Sequence, residues 1–379
     1  MFAAQKRNLV KIGGLTCRKK RGIKKVTQVL LLGSGRKHCP NKMNLKGGLT
    51  ILTPRQNVMA VLNGQQPDYY GDLMPTLQFI SDPVFLRDRI PQDGKIHQDS
   101  WGTSFCFLPG APGSHPVVNS ENAVIKDIEK WEESLVVPTL KDLDWSLAIE
   151  QAKNVNREEK FAAIYCSGGL FERTHHLMGM QEALMNYMEY PEEMAGLLRK
   201  IADFKIEYIK LATKYLKPDI IFYHDDWGTK QNLFLPPRVW RELIKPLQAE
   251  IAQTLRDCGI IYMHHADCVC QPIVEDMVEI GVEIWQGAIP QNDIVEIQRI
   301  TKGKLPMIGG IDGPKIDIEN ITEEAIRAEV RRAFDTYIPG GPFFPSIANG
   351  CCFRKWNNDI YLDELESYGR IYAQEHPVK

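Results

Sequence analysis

The sequence predicts an α/β fold, a parallel sheet backed by helices in one catalytic domain, and three observations carry that prediction. From about residue 158 onward, short apolar runs alternate with longer amphipathic stretches, the pattern of repeated strand and helix units. The amphipathic stretches have legible starts and stops. Each apolar run is followed at once by polar residues of the kinds that do chemistry.

The strands are expected at 161–166, 220–224, 260–264, 282–286, 305–309 and 343–347. Between them, Pro236 and Pro237 suit a helical first turn, Trp240, Leu243, Leu247 and Ile251 continue the pattern, and Gly259 ends it. Thr322 is placed to cap a helix in which Ala325, Ile326, Val330, Ala333, Phe334 and Tyr337 recur at spacings of three and four. Pro191 opens a long helix with Met194, Leu197, Leu198, Ile201 and Phe204 inward. The segment 53–147 is rich in Pro, Gly and Asp. It is expected to hold an opening helix at 55–62, a first strand near Gly71 and long loops.

A chain of 379 residues, 44% apolar and 25% charged, can bury a large core. No apolar run approaches the roughly 18 residues of a membrane span, so no membrane role is expected. The net charge of −2 hides an asymmetry: residues 1–47 carry thirteen Lys and Arg and no acid, leaving the rest at about −15. Such a stretch suits a nucleic-acid arm or a targeting peptide. The reading adopted is a basic extension over 1–48, disordered or the product of an upstream start with Met43 as the first residue, so no nucleic-acid partner is expected. The catalytic domain is then 49–379. Gly33-Ser34-Gly35 has His38 where a dinucleotide fingerprint needs its third glycine. The nine cysteines are scattered and odd in number, which is no disulfide framework. A reducing cytoplasm is expected, with any special cysteine a ligand or nucleophile.

The strand ends hold the candidate site, because the loops there form the active site of a parallel barrel. In order they offer Ser167, the run His224-Asp225-Asp226-Trp227, the run His264-His265-Ala266-Asp267-Cys268, then Gln286, Asp312 and Ser346. Carboxylates beside a histidine can orient the imidazole or hold a proton, as acid–base work requires. The alternative is a turn with an aspartate cap. His265, Asp267 and Cys268 also combine donors that zinc accepts, although Cys268 and Cys270 could equally open the next helix as small hydrophobes.

The chain from about Thr53 onward resembles the uroporphyrinogen decarboxylase and cobalamin-dependent methyltransferase superfamily, nearer its methyltransferase-like branch. The landmarks are Thr53-Pro54-Arg55, Leu62-Asn63-Gly64, Asp99-Ser100-Trp101-Gly102, Asp225-Asp226-Trp227-Gly228, Ile244-Lys245-Pro246, His265-Ala266-Asp267, Ile280-Gly281-Val282, Asn292-Asp293-Ile294 and Gly309-Gly310-Ile311-Asp312, in the family's order. The resemblance implies a (β/α)8 TIM barrel and two chemistries. In the methyltransferases a His-x-Cys motif and a later cysteine bind zinc, which activates a thiol for attack on a methyl group held by a corrinoid. Here His265 falls on the family histidine and Asp267 on the second ligand, with Cys268 at a usual glycine. Ser346 and Ala348 lie near the third cysteine's place, and the resemblance implies that Cys268 or Cys351 would have to supply the missing thiolate. In the decarboxylases an arginine-rich loop grips the porphyrinogen carboxylates, whereas Tyr70-Gly71-Asp72-Leu73-Met74-Pro75 has no arginine.

The resemblance therefore implies methyl transfer between a corrinoid carrier, on a partner protein or as free cobalamin, and a small thiol or folate acceptor. His265, Asp226 and His224 would be catalytic. Asp225, Trp227, Gln286, Asp312, Ser167 and Ser346 would bind substrate, and His265, Asp267 and Cys268 would hold zinc. A homodimer is compatible with this reading. The alternatives are a decarboxylase of porphyrin biosynthesis and a non-catalytic barrel that binds a ligand or a corrinoid protein.

Overall fold

The structure, a computed structural model, describes residues 51–348 and 352–378. The basic segment 1–48 and Cys351 lie outside the described residues. Seven parallel strands make one curled sheet: β1 (Leu77–Phe79), β5 (Phe161–Cys166), β6 (Ile220–His224), β7 (Ile261–His265), β8 (Ile284–Ala288), β9 (Met307–Ile311) and β10 (Phe343–Ile347), neighbours in that order. Between the first two, β2 (Ile96–Gln98), β3 (Ser104–Cys106) and β4 (His115–Pro116) form a small antiparallel sheet. The large sheet is covered by helices, so nearly every residue of β5 to β10 is buried, which is why these strands read as unbroken apolar runs.

The fold is a (β/α)8 TIM barrel in which the first position lacks a ladder. A strand was expected near Gly71, yet the first paired strand is β1, with Leu77 opposite Phe161. The segment at 70–73 is instead tied by side chains and single contacts. Asp72 bonds the Met74 amide and the Ser346 hydroxyl on β10, and the Tyr70 amide donates to Gly369. Pro75, which has no N–H, and the 3-10 turn Met74–Thr76 then lead into β1.

The other strands lie where expected or start slightly later. Ile260 and Val282 are apolar and buried, but their amides turn back to Leu255 and Met277 to close the preceding helices. Pairing therefore begins at Ile261 and Ile284. The helices Pro54–Leu62, Pro191–Leu216 and Glu323–Tyr337 appear as expected. Thr53 forms a capping box with Gln56, and Thr322 accepts from the Ala325 amide. No helix among the described residues is long and apolar enough to cross a membrane.

Candidate active site

Strand alternation sorts the polar residues at the ends of β6 and β7 into two sets. Phe222, His224 and His265 share the inner face. His224 and His265 are register partners whose rings stack at 4.3 Å, and Phe222 stacks on His265 at 5.4 Å. Tyr223 and His264 share the outer face, stacked at 6.0 Å.

On the inner face each imidazole is oriented through Nδ1. His224 Nδ1–H donates to Glu172 Oε2 at 3.0 Å. His265 Nδ1–H donates to Gln286 Oε1, an orientation fixed because Gln286 Nε2 donates to the Ala348 carbonyl at 2.9 Å. Both Nε2 atoms are therefore left for the cavity. Asp226 joins them: its Oδ1 lies 4.0 Å from His265 Nε2 and accepts from the Asp267 amide at 3.0 Å. A bulge at Gly287, whose φ is +98°, shifts the β8 register just past Gln286. A Cβ there would press on the Ala266 carbonyl.

The charges of the cluster follow from burial and from Glu172. Burial alone would depress His224, but the Glu172 carboxylate beside it raises its pKa to about 9. Burial would raise Glu172, and the His224 imidazolium holds it low instead. His265 falls to about 4, through burial and then the positive His224. Asp226 rises to about 7, through burial and then the Glu172 charge.

On the outer face Asp225, Trp227 and His264 spend their side-chain polar atoms on the scaffold. The Asp225 carboxylate accepts from the amides of Phe171 and Glu172 at 3.2 and 2.9 Å, capping the helix Leu170–Met178, and from Trp227 Nε1 at 2.9 Å. Gly169 makes room for it, since a Cβ there would overlap the carboxylate. His264 Nε2–H donates to the Asp225 carbonyl at 3.2 Å, and its Nδ1 accepts from Tyr262 Oη at 2.9 Å. Trp227 stacks on His264 at 3.9 Å.

The residues expected to bind substrate thus separate. Gln286 supports His265, while Asp225 and Trp227 are buried scaffold. Ser346 is buried against Asp72 and Tyr361. Ser167 is exposed and gives its carbonyl to Lys205 at 2.6 Å. Asp312 is half-buried, with its amide on Glu329.

The expected zinc ligands also separate. Cys268 is turned into the core, its Sγ 3.5 Å from that of Cys270. The Asp267 carboxylate is held by Lys230 at 2.7 Å. Because the thiolate is absent from the cavity, His265, Asp267 and Cys268 do not fit a thiol-activating zinc. Among the described residues one group of three brings ligand atoms within 4.8 Å of one another: His224, Asp226 and His265.

Four contributors were not anticipated. Glu172 lies in the first turn of the helix after Gly168-Gly169, a position at the rim that its sequence place could have indicated. Tyr165 and Phe79 line the inner face with Phe222, at 5.6 and 6.1 Å, and Lys230 folds back onto Asp267. Nothing local in the sequence marks these three.

Sequence comparison agrees with the geometry. The profile of uroporphyrinogen decarboxylase (URO-D) matches residues 100–351, well over half of the chain. The chain belongs to the uroporphyrinogen decarboxylase family. Among solved structures, a methyltransferase from Methanosarcina mazei superposes with a TM-score of 0.54 at 14% sequence identity, covering 84% of this chain and 99% of that chain. At that identity the likeness is one of fold. No curated protein matches the sequence. The candidate site of this family member lies at the β6 and β7 ends, flanked by Glu172 and Gln286.

Proposed function

We propose that this member of the uroporphyrinogen decarboxylase family is a methyltransferase, moving a methyl group between a corrinoid carrier and a small thiol or folate acceptor. The observation that carries the reading is the character of the inner face. Beside His224, Asp226 and His265 the wall is aromatic, made of Phe79, Tyr165 and Phe222. A polycarboxylate substrate calls for arginine forks. The segment 70–75 has none, and Arg173, on the helix that carries Glu172, is committed to the buried Asp99 at 2.5 Å. An apolar methyl group beside a polar activating cluster suits this wall better than a porphyrinogen.

In the reaction the bond between cobalt and methyl breaks with both electrons staying on cobalt. The new bond forms to sulfur or nitrogen of the acceptor, whose proton is lost. The chain's part is to bring the acceptor to the cluster, favour its deprotonated form through the positive His224 and exclude water with the aromatic wall. The corrinoid is a substrate here, delivered by a partner protein or free.

The test is to mix the protein with methylcobalamin and either a thiol or tetrahydrofolate and follow loss of the methylcobalamin spectrum. Protein-dependent demethylation that falls at least about 100-fold in Asp226→Ala supports the reading. Release of carbon dioxide from a porphyrinogen, with no methyl transfer to either acceptor, overturns it in favour of the decarboxylase.

A further inference from the structure

We infer that His224, Asp226 and His265 form a site for one divalent transition metal, held by two imidazole nitrogens and one carboxylate oxygen with no thiolate. The inference rests on the functional reading above only for its purpose, which is to supply the acceptor's activation; the site itself stands on geometry.

Three observations support it. The ligand atoms already lie within 4.8 Å of one another, without an ion to draw them together. Tetrahedral bonds of about 2.1 Å place ligand atoms roughly 3.4 Å apart, so side-chain rotations on the order of 1 Å close the site. Both histidines are presented as metal ligands usually are, Nδ1–H given to Glu172 and Gln286 and Nε2 turned to the cavity, and on His224 the metal takes the place of the Nε2 proton and of its positive charge. Two of the ligands come from adjacent strand ends braced by a third, since Gln286 is tied to Ala348 beyond β10, and Asp226, two residues past β6, is held by the Asp267 amide.

The donor set decides the class of metal. Two imidazoles and a carboxylate suit zinc or ferrous iron and leave coordination positions for a substrate atom. A thiolate-selecting site would have used Cys268, which faces Cys270 instead. A substrate thiol bound at the open position would lose its proton to solvent and remain as the thiolate on the metal.

The experiment begins with the full chain purified without chelator or affinity metal, stripped, and titrated by calorimetry with zinc and, anaerobically, with ferrous iron. One ion per chain is expected, bound at least tenfold more weakly in His224→Ala, Asp226→Ala and His265→Ala and unchanged in Cys268→Ala. Because a substituted barrel can misfold, the unmodified chain is also loaded with cobalt(II). Weak visible bands without a near-ultraviolet thiolate charge-transfer band support the site. A thiolate band, a loss of binding in Cys268→Ala alone, or no binding of zinc or iron to the unmodified chain overturns it. Methyl transfer is assayed on the stripped chain as well. Transfer without metal binding sinks the metal site and leaves the functional reading standing, whereas binding without transfer does the reverse.

Discussion

The two faces of β6 and β7 carry nearly the same residue types, yet they are finished differently. Outside, Asp225, Trp227 and His264 form a closed set in which each polar atom has a partner within the scaffold. Inside, Asp226, His224 and His265 each have one side fixed and one side open. The open sides are not sealed from water, His224 being 24% and Asp226 29% exposed, so the inner set escapes the roughly 1–3 kcal/mol cost of a buried unpartnered group and stays open to whatever enters the cavity. Adjacent residues, Asp225 with Asp226 and His264 with His265, therefore belong to different parts of the molecule's work.

The sharpest way to break this contrast is to remove each aspartate in turn. Asp225→Ala leaves two helix amides and an indole N–H without their acceptor, and should destabilise the fold by about 3 kcal/mol or more, read as a shift of the urea midpoint. Asp226→Ala should shift stability by no more than ~1 kcal/mol while abolishing activity. Equal destabilisation by the two would show that the inner carboxylate is scaffold as well.

Asp72 tests whether the closing segment of the barrel follows the same logic. Burial raises its carboxyl to about 6, against hydrogen bonds from Met74, Ser346 and Leu73. A carboxyl whose folded pKa exceeds its unfolded value binds more protons when folded, so stability is full below about 4 and falls as pH rises through about 6. Asp72→Asn keeps an acceptor without the charge. It should match or trail the native chain near pH 4 and exceed it on the order of 1–3 kcal/mol at pH 8, by urea denaturation at both values. A native chain that gains stability over that interval relative to the variant would contradict the assignment.

The smallest effect is expected at Lys230, whose Nζ meets the Asp267 carboxylate at 2.7 Å while remaining more than half exposed. Lys230→Ala should change stability by no more than ~0.5 kcal/mol and the Michaelis constant by a few-fold. A large loss of turnover there would bring Lys230 into the site proper.

Much of the barrel was legible because parallel strands and their helices announce themselves through apolar runs, prolines and caps. The last strand, 343–347, and the helix starts at Pro191 and Thr322 needed only local physics. The segment before β1 was less legible, since Asp72 and Pro75 replace a ladder with side-chain bonds to residues about 270 positions away. Within the site, the strand-end rule found His224, Asp226, His265 and Gln286 together. It overreached at Asp225 and Trp227, because polarity near a strand end does not say which face a residue occupies once the strand has ended, and at Ser346, which lies within β10 and is taken up by Asp72 and Tyr361.

By itself the sequence determined the strand and helix order from about residue 158 onward and the placing of histidines and carboxylates at the β6 and β7 ends, because those follow from local periodicity and chain connectivity. Which of the adjacent pairs face the cavity, that Glu172 and Gln286 orient the two imidazoles, and that Cys268 turns away were decided only by tertiary structure. Those choices depend on hydrogen-bond partners 21 to 53 residues apart, whose meeting is set by the packing of strands against helices and leaves no mark on any short stretch of chain.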